Sequence, residues 1–181
     1  MQLLVIRHAV AEDAGPDLDD SERALTEAGR AKLRRAVRGL RALEIRIERI
    51  LTSPWKRAVK GMRALGWQFD RVIASPWRRA FDTAQLLAPL CDADPIPTDL
   101  LVQSPRAELL AMIAERGETT AVVGHEPWLG ELVAWLAFGD TRHGDALAIK
   151  KAGVVWLEGS AVPGGMQIRA ALPPRVLRAI G

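Results

Sequence analysis

Residues 1–9 read MQLLVIRHA, and the fold turns on how that run divides. Leu3 to Ile6 is a short apolar run with β-branched members, the composition of a strand buried on both faces, and it stops at two polar residues, Arg7 and His8. The stretch AEDAGPDLDDSE that follows has turn composition. From Thr26, a fitting N-cap with Glu27 behind it, Leu33, Val37 and Leu40 recur at helical spacing to about Leu43. Strand, loop and helix thus follow one another. The same order is predicted from Ile47–Leu51, Phe69–Ala74 and Thr120–Val123, three further buried strands each followed by a helical pattern. Near the end, Val154–Leu157 and Met166–Ala170 flank the turn-rich AVPGG and read as an antiparallel hairpin on the sheet edge. The expected fold class is α/β: a three-layer α/β/α sandwich with a mostly parallel central sheet and a C-terminal antiparallel hairpin.

The bulk properties narrow the function classes. A chain of 181 residues suits one domain, residues 1–181. Hydrophobic residues at 49% and charged residues at 26% are ordinary for a soluble globular protein. The longest apolar runs fall far short of the roughly 20 residues that cross a bilayer, so no membrane partner is expected. The 25 basic and 22 acidic residues are interspersed, without the basic stripe that nucleic acid favours. Cys91 is the only cysteine and the N-terminus carries no leader pattern, which fits a cytoplasmic protein without disulfides or a cysteine-based zinc site.

In open α/β sheets, ligands collect at the carboxyl ends of the strands. Three such junctions carry the same residue types: Arg7-His8, the Ser-Pro-Trp phrases of ERILTSPWKRA and DRVIASPWRRA, and GHEPW with His125. His143 lies in a polar loop and reads as surface. Singly, each has a plainer reading: a surface Arg-His pair, a core histidine, a solvated helix arginine. Together, next to predicted helix N-termini, they describe an oxyanion pocket. Arginine offers a phosphoryl group two parallel hydrogen bonds, and a histidine among arginines has its pKa pushed below about 6.5, leaving it neutral and nucleophilic. Such a histidine can carry the phosphoryl group covalently before water removes it.

LVIRHA, RALTEAGR, ASPWRRAFDTAQLL, VVGHEPWLGELV and IKKAGVVWL, in that order, resemble the histidine phosphatase superfamily, the phosphoglycerate mutase-like group, and most closely its short bacterial phosphohistidine phosphatases of the SixA type. The resemblance runs from the first strand to the final hairpin. It implies that His8 is the phosphorylated nucleophile, that Arg7, Arg79 and His125 surround the phosphoryl oxygens, and that Arg23 also reaches phosphate. The plainer reading of Arg23 is a loop arginine paired with Asp19 or Asp20. Ala9 stands where many relatives have glycine.

Larger relatives that act on sugar phosphates draw a general acid from an insertion before the second histidine. Here 88–119 is one loop and one helix, with Glu108, Glu115 and Glu118 reading as solvated. An alkoxide needs such an acid, because water-like oxygens have pKa near ~15.7, whereas the imidazole nitrogen freed from phosphohistidine has one near ~6.5. The implied activity is a metal-independent phosphohistidine phosphatase without cofactor, its partner a phosphohistidine-bearing signalling or phosphotransfer protein and its ligands phosphate-like oxyanions. A small-molecule phosphomonoesterase or mutase of the same superfamily and a non-catalytic phosphoprotein-binding module are the alternatives. The acidic loop reads as solvated, with no calcium-loop spacing.

The two Ser-Pro-Trp phrases belong to a longer self-similarity. Ala36–Ala58 and Ala58–Ala80, laid at an offset of 22, agree at 12 of 23 positions, so a helix-strand module at 36–57 recurs at 58–79 as a diverged tandem duplication. Removing one copy of 22 residues from 181 leaves 159, at which the family motifs fall into ordinary register. Each copy ends in an arginine, Arg57 or Arg79, and one suffices for phosphate. Arg79 is favoured because AFDTAQLLAPL after it matches the family, while AVKGMRALG after Arg57 carries two glycines that weaken a helix. The module at 58–79 is expected to add a strand and helix or to protrude. The six tryptophans are expected mostly in the core, with Trp77 and Trp128 able to wall the pocket, and Lys150 and Lys151 are expected to mark an exposed strand entrance.

Overall fold

The computed structural model describes residues 1–15, 19–43, 49–51, 75, 77–87, 90–91, 95–115 and 119–181. Five strands form one mixed sheet: β1 (Gln2–Arg7), β2 (Arg49–Leu51), β3 (Thr119–Gly124), β4 (Val154–Gly159) and β5 (Met166–Leu172), in the spatial order β2-β3-β1-β4-β5. The β2, β3 and β1 strands are parallel, and β4 and β5 add to the β1 edge antiparallel, as the terminal hairpin expected from AVPGG. The strand expected at Phe69–Ala74 and most of the repeated module lie outside the described residues.

Among the described residues, five helices cover the sheet: α1 (Glu27–Ala42), α2 (Arg78–Leu86), α3 (Ala107–Ala114), α4 (Trp128–Phe138) and α5 (Pro174–Ile180). Alternation along β1 sorts its side chains between two cores. Leu4 and Ile6, with Ala121 and Val123 of β3, pack against Leu33, Val37 and Leu40 of α1, Ala80 and Ala84 of α2 and Leu177 of α5. Leu3, Val5 and Val122 face the other way, against Leu109 and Ile113 of α3 and Leu129, Leu132 and Val133 of α4. The result is the three-layer sandwich, each fully buried leucine contributing ~1.5–3 kcal/mol of transfer free energy.

Helix α1 begins where the sequence placed it: Thr26 Oγ1 accepts from Gly29 N at 2.9 Å. Helix α5, starting at Pro174 in its first turn, was not anticipated from PPRVLRAIG, seven residues being too few for a legible periodicity. It presses its Leu177 backbone onto α1, where a Cβ at Gly39 would stand 1.9 Å from Leu177 O. Only glycine permits that approach. Helix α4 ends at Gly139, whose φ of 84° is the left-handed cap conformation.

The expectation that most tryptophans are core needs correcting among the described ones: Trp77, Trp128, Trp135 and Trp156 are all half-buried. Large rings here sit at the margins of the two cores, which are filled mainly by leucine and valine.

Candidate active site

Strand register builds the site. Arg7 of β1 lies directly opposite Gly124 of β3, and His8 N donates to Gly124 O at 3.2 Å, so the next residue of each strand is a histidine on the same edge. The rings of His8 and His125 stand 4.9 Å apart. Two residues 117 positions apart in the chain meet because parallel neighbours end together.

His8 is 5% exposed, and its Nδ1 is 2.7 Å from Ala9 O. A carbonyl only accepts, so Nδ1 carries the proton and Nε2 holds the lone pair. Arg79 Nε donates toward that lone pair at 3.4 Å. Burial, and beyond it the charges of Arg79, Arg7 and Lys151, lower the His8 pKa to about 3 against the opposing bond to Ala9. His8 is therefore a neutral imidazole at every physiological pH. His125 is pushed down in the same way by burial, then by His8, Arg79 and Arg7. Its Nε2 is 2.8 Å from Ser75 Oγ, and its Nδ1 is buried with no hydrogen-bond partner among the described residues.

Helix α2 delivers Arg79 in its first turn and is stitched to the chain beyond His8: Thr83 Oγ1 donates to Arg79 O at 2.7 Å and accepts from Ala9 N at 3.0 Å. The Arg79 guanidinium lies over Trp77, 4.5 Å from the ring centroid. Arg7 is held from the other side by Nη1 donating to Ile149 O at 2.8 Å, while its Nε is buried without a partner among the described residues. Arg23 comes from the loop after β1, which folds back through Glu12 N to Ala24 O (2.9 Å) and Arg23 Nε to Glu12 O (2.7 Å).

These groups line one pocket of about 300 Å³ with Asp20, Trp77, Glu126, Trp128 and Lys151. All five residues singled out from the sequence, Arg7, His8, Arg23, Arg79 and His125, are brought together; Arg57 lies outside the described residues. Arg23 lines the pocket and pairs with Asp20, as its plainer reading expects. Lys150 and Lys151 are exposed before β4 as expected, but Lys151 also reaches the pocket, because Ala152 N donates to Arg7 O and His8 O, each at 3.1 Å. His143 is exposed at the surface.

Three residues were missed, Asp20 and Glu126 of the pocket lining and Ser75 behind His125. Ser75 carried a signal in the Ser-Pro-Trp phrase, which marked its junction without marking the hydroxyl. Asp20 was lost among the carboxylates of its loop. Glu126 stood beside His125 unexamined; burial raises its pKa, against hydrogen bonds from Ile149 N (2.6 Å) and Gly130 N (3.1 Å) to its two oxygens. Glu108 and Glu115 are exposed, as expected.

No protein-family model matches the chain. An uncharacterized protein of Picosynechococcus sp. is 32% identical over 168 residues, 89% of this chain and 87% of that protein. Among solved structures, the chain is similar to the protein histidine phosphatase SixA complexed with tungstate, with a TM-score of 0.68 and 23% identity over 98% of this chain and 99% of that one. It is also similar to phosphoserine phosphatase from Entamoeba histolytica in complex with 3-phosphoglyceric acid, with a TM-score of 0.63 and 13% identity over 97% of this chain and 98% of that one.

Proposed function

We propose that this chain, a member of the histidine phosphatase superfamily by its fold and of one family with the Picosynechococcus protein by its sequence, is a phosphohistidine phosphatase working through a phospho-His8 intermediate. The observation that carries the reading is the neutral His8 whose Nε2 lone pair faces the Arg79 guanidinium. Nε2 attacks phosphorus, the P–N bond to the substrate imidazole breaks, and that ring leaves and takes a proton from solvent. Water then attacks phosphorus, the P–Nε2 bond breaks, and inorganic phosphate departs. Throughout, Nδ1–H stays on Ala9 O, which fixes the tautomer and the ring. Arg79 Nε and the unpartnered Arg7 Nε are donors suited to the equatorial oxygens, where charge is spread in the transition state. His125, with a buried Nδ1 lacking a partner, is suited to the same task. The chain needs no metal in this scheme. We also infer that the described elements act as one domain and that the second copy of the repeated phrase, through Arg79, supplies the phosphate ligand.

The pocket is rimmed by Trp77 and Trp128, whose ring centroids are 6.1 Å apart, and this suits a flat heteroaromatic leaving group displayed on a protein. A second reading has its own observation. Glu126 lines the pocket with its proton affinity raised by burial, and a carboxyl there could protonate an alkoxide, as phosphomonoesters require. Both of its oxygens accept backbone N–H groups, which favours the bracing role and keeps the first reading ahead. Comparing kcat/KM for a phosphohistidine protein and for alkyl phosphates, in wild type and Glu126→Gln, separates the two. The first reading expects the protein to be preferred and the variant to hydrolyse it nearly as fast; preference for the alkyl phosphate, lost in Glu126→Gln, would replace it. Tungstate binding with no turnover of either substrate would point instead to a binding module.

A further inference from the structure

The pocket already contains an anion, and it belongs to the chain. Asp20 Oδ2 accepts from Arg79 Nη2 at 2.8 Å, Asp20 Oδ1 accepts from Arg23 Nη1 at 2.5 Å, and the Asp20 main-chain oxygen accepts from Arg79 Nη1. Both ends of the Arg79 fork are thus committed to one residue, leaving only Nε for His8. A carboxylate that gives one oxygen to each of two guanidinium groups occupies the same donors that a phosphoryl group would use. The carboxylate is charged: burial alone would raise its pKa, but the hydrogen bonds from Arg23 and Arg79 hold it below the usual range. Its side chain is 46% exposed, so it can swing toward water without stranding a buried charge.

We propose that Asp20 acts as an internal competitor, holding Arg23 and Arg79 until a phosphoryl group displaces it and reclaiming them as inorganic phosphate leaves. The inference rests on the reading of this pocket as a phosphoryl site. A small free anion meets the competitor with only its own charge to offset it. The displacement cost is common to every phosphoryl ligand: it lowers occupancy by stray phosphate and shortens product retention, while a phosphorylated protein offsets it with further contacts outside the phosphoryl group. If Asp20 leaves the fork in about one molecule in ten, apparent oxyanion affinity is lowered about tenfold.

The test is equilibrium binding of tungstate and of inorganic phosphate by calorimetry to wild type, Asp20→Asn, Asp20→Ala and Arg79→Ala. Asparagine keeps the shape and removes the charge; alanine removes the acceptor as well. Both Asp20 variants are expected to bind about tenfold more tightly, with stronger product inhibition by phosphate, and Arg79→Ala to lose binding. Were Asp20 a buttress that preorganises the two arginines, both variants would bind more weakly; weaker or unchanged binding overturns the proposal. A crystal of the wild-type tungstate complex gives an independent check, with Asp20 Oδ2 expected beyond hydrogen-bond reach of Arg79 Nη2. An intact bridge beside bound tungstate would also overturn it. Absence of binding in every variant and in wild type would sink the phosphoryl-site reading itself, and the proposal with it, whereas binding in wild type that Asp20→Asn fails to improve sinks the proposal alone.

Discussion

His8 and His125 leave neighbouring parallel strands at the same level, are almost equally buried and share Arg7 and Arg79 as positive neighbours, yet their hydrogen bonds differ. Nδ1 of His8 is tied to a main-chain carbonyl, which determines where its proton sits and frees Nε2. Nε2 of His125 faces a serine hydroxyl, which can donate or accept and so leaves the tautomer adjustable. The first arrangement suits a nucleophile, whose lone pair must be available in advance. The second suits a group that adapts to charge developing on a neighbour. One hydrogen-bond partner on each ring thus suits two chemically identical side chains to different work.

Removing the proposed nucleophile breaks this comparison most severely. His8→Ala is expected to lower kcat by about 10⁴-fold or more and to abolish the phosphoenzyme. Arg79→Ala should cost about 10²–10³-fold through lost charge stabilisation, and more than Arg57→Ala; a larger loss in the Arg57 variant would assign the phosphate to the first copy of the repeat. His125→Ala is expected to cost about 10²-fold while phosphoenzyme still forms, which quenched-flow separation of the two steps would reveal.

The shared burial of the pair sets a pH effect on stability. An unfolded histidine binds its proton below about pH 6.5, whereas folded His8 does so only near pH 3, so within that window the unfolded state holds more protons and stability falls as pH falls. Thermal melts from pH 7 to pH 4 should show that fall, and a shallower one in His8→Ala. Ser75→Ala probes the smallest difference. Loss of one partner of a buried imidazole should cost about 1–3 kcal/mol of stability, with only a few-fold change in kcat if the hydroxyl merely orients the ring.

Much of this was legible in the chain because strand ends are local signals. Leu3–Ile6 and Thr120–Val123 announced themselves by composition, and a histidine two residues beyond each is a feature of spacing that needs no tertiary knowledge. That Arg7 and Gly124 are level follows from register, which sequence leaves open and the sheet supplies. Asp20 was legible only as one of two possible partners of Arg23: Arg79 reaches it from 59 residues away, and nothing about a carboxylate in an acidic loop distinguishes the one that folds inward. Glu126 was hidden by the turn around Lys151, whose neighbour Ile149 supplies one of its hydrogen bonds from 23 residues on. Helix α5 escaped because its burial rests on Leu177 and on the glycine it meets in α1.

The difference between the two histidines is tested most directly by quenching turnover of a ³²P-phosphohistidine protein within milliseconds and mapping the label by mass spectrometry under alkaline conditions. The account expects label on His8 alone, retained in His125→Ala and absent from His8→Ala. Label on His125, or on no histidine, would contradict it.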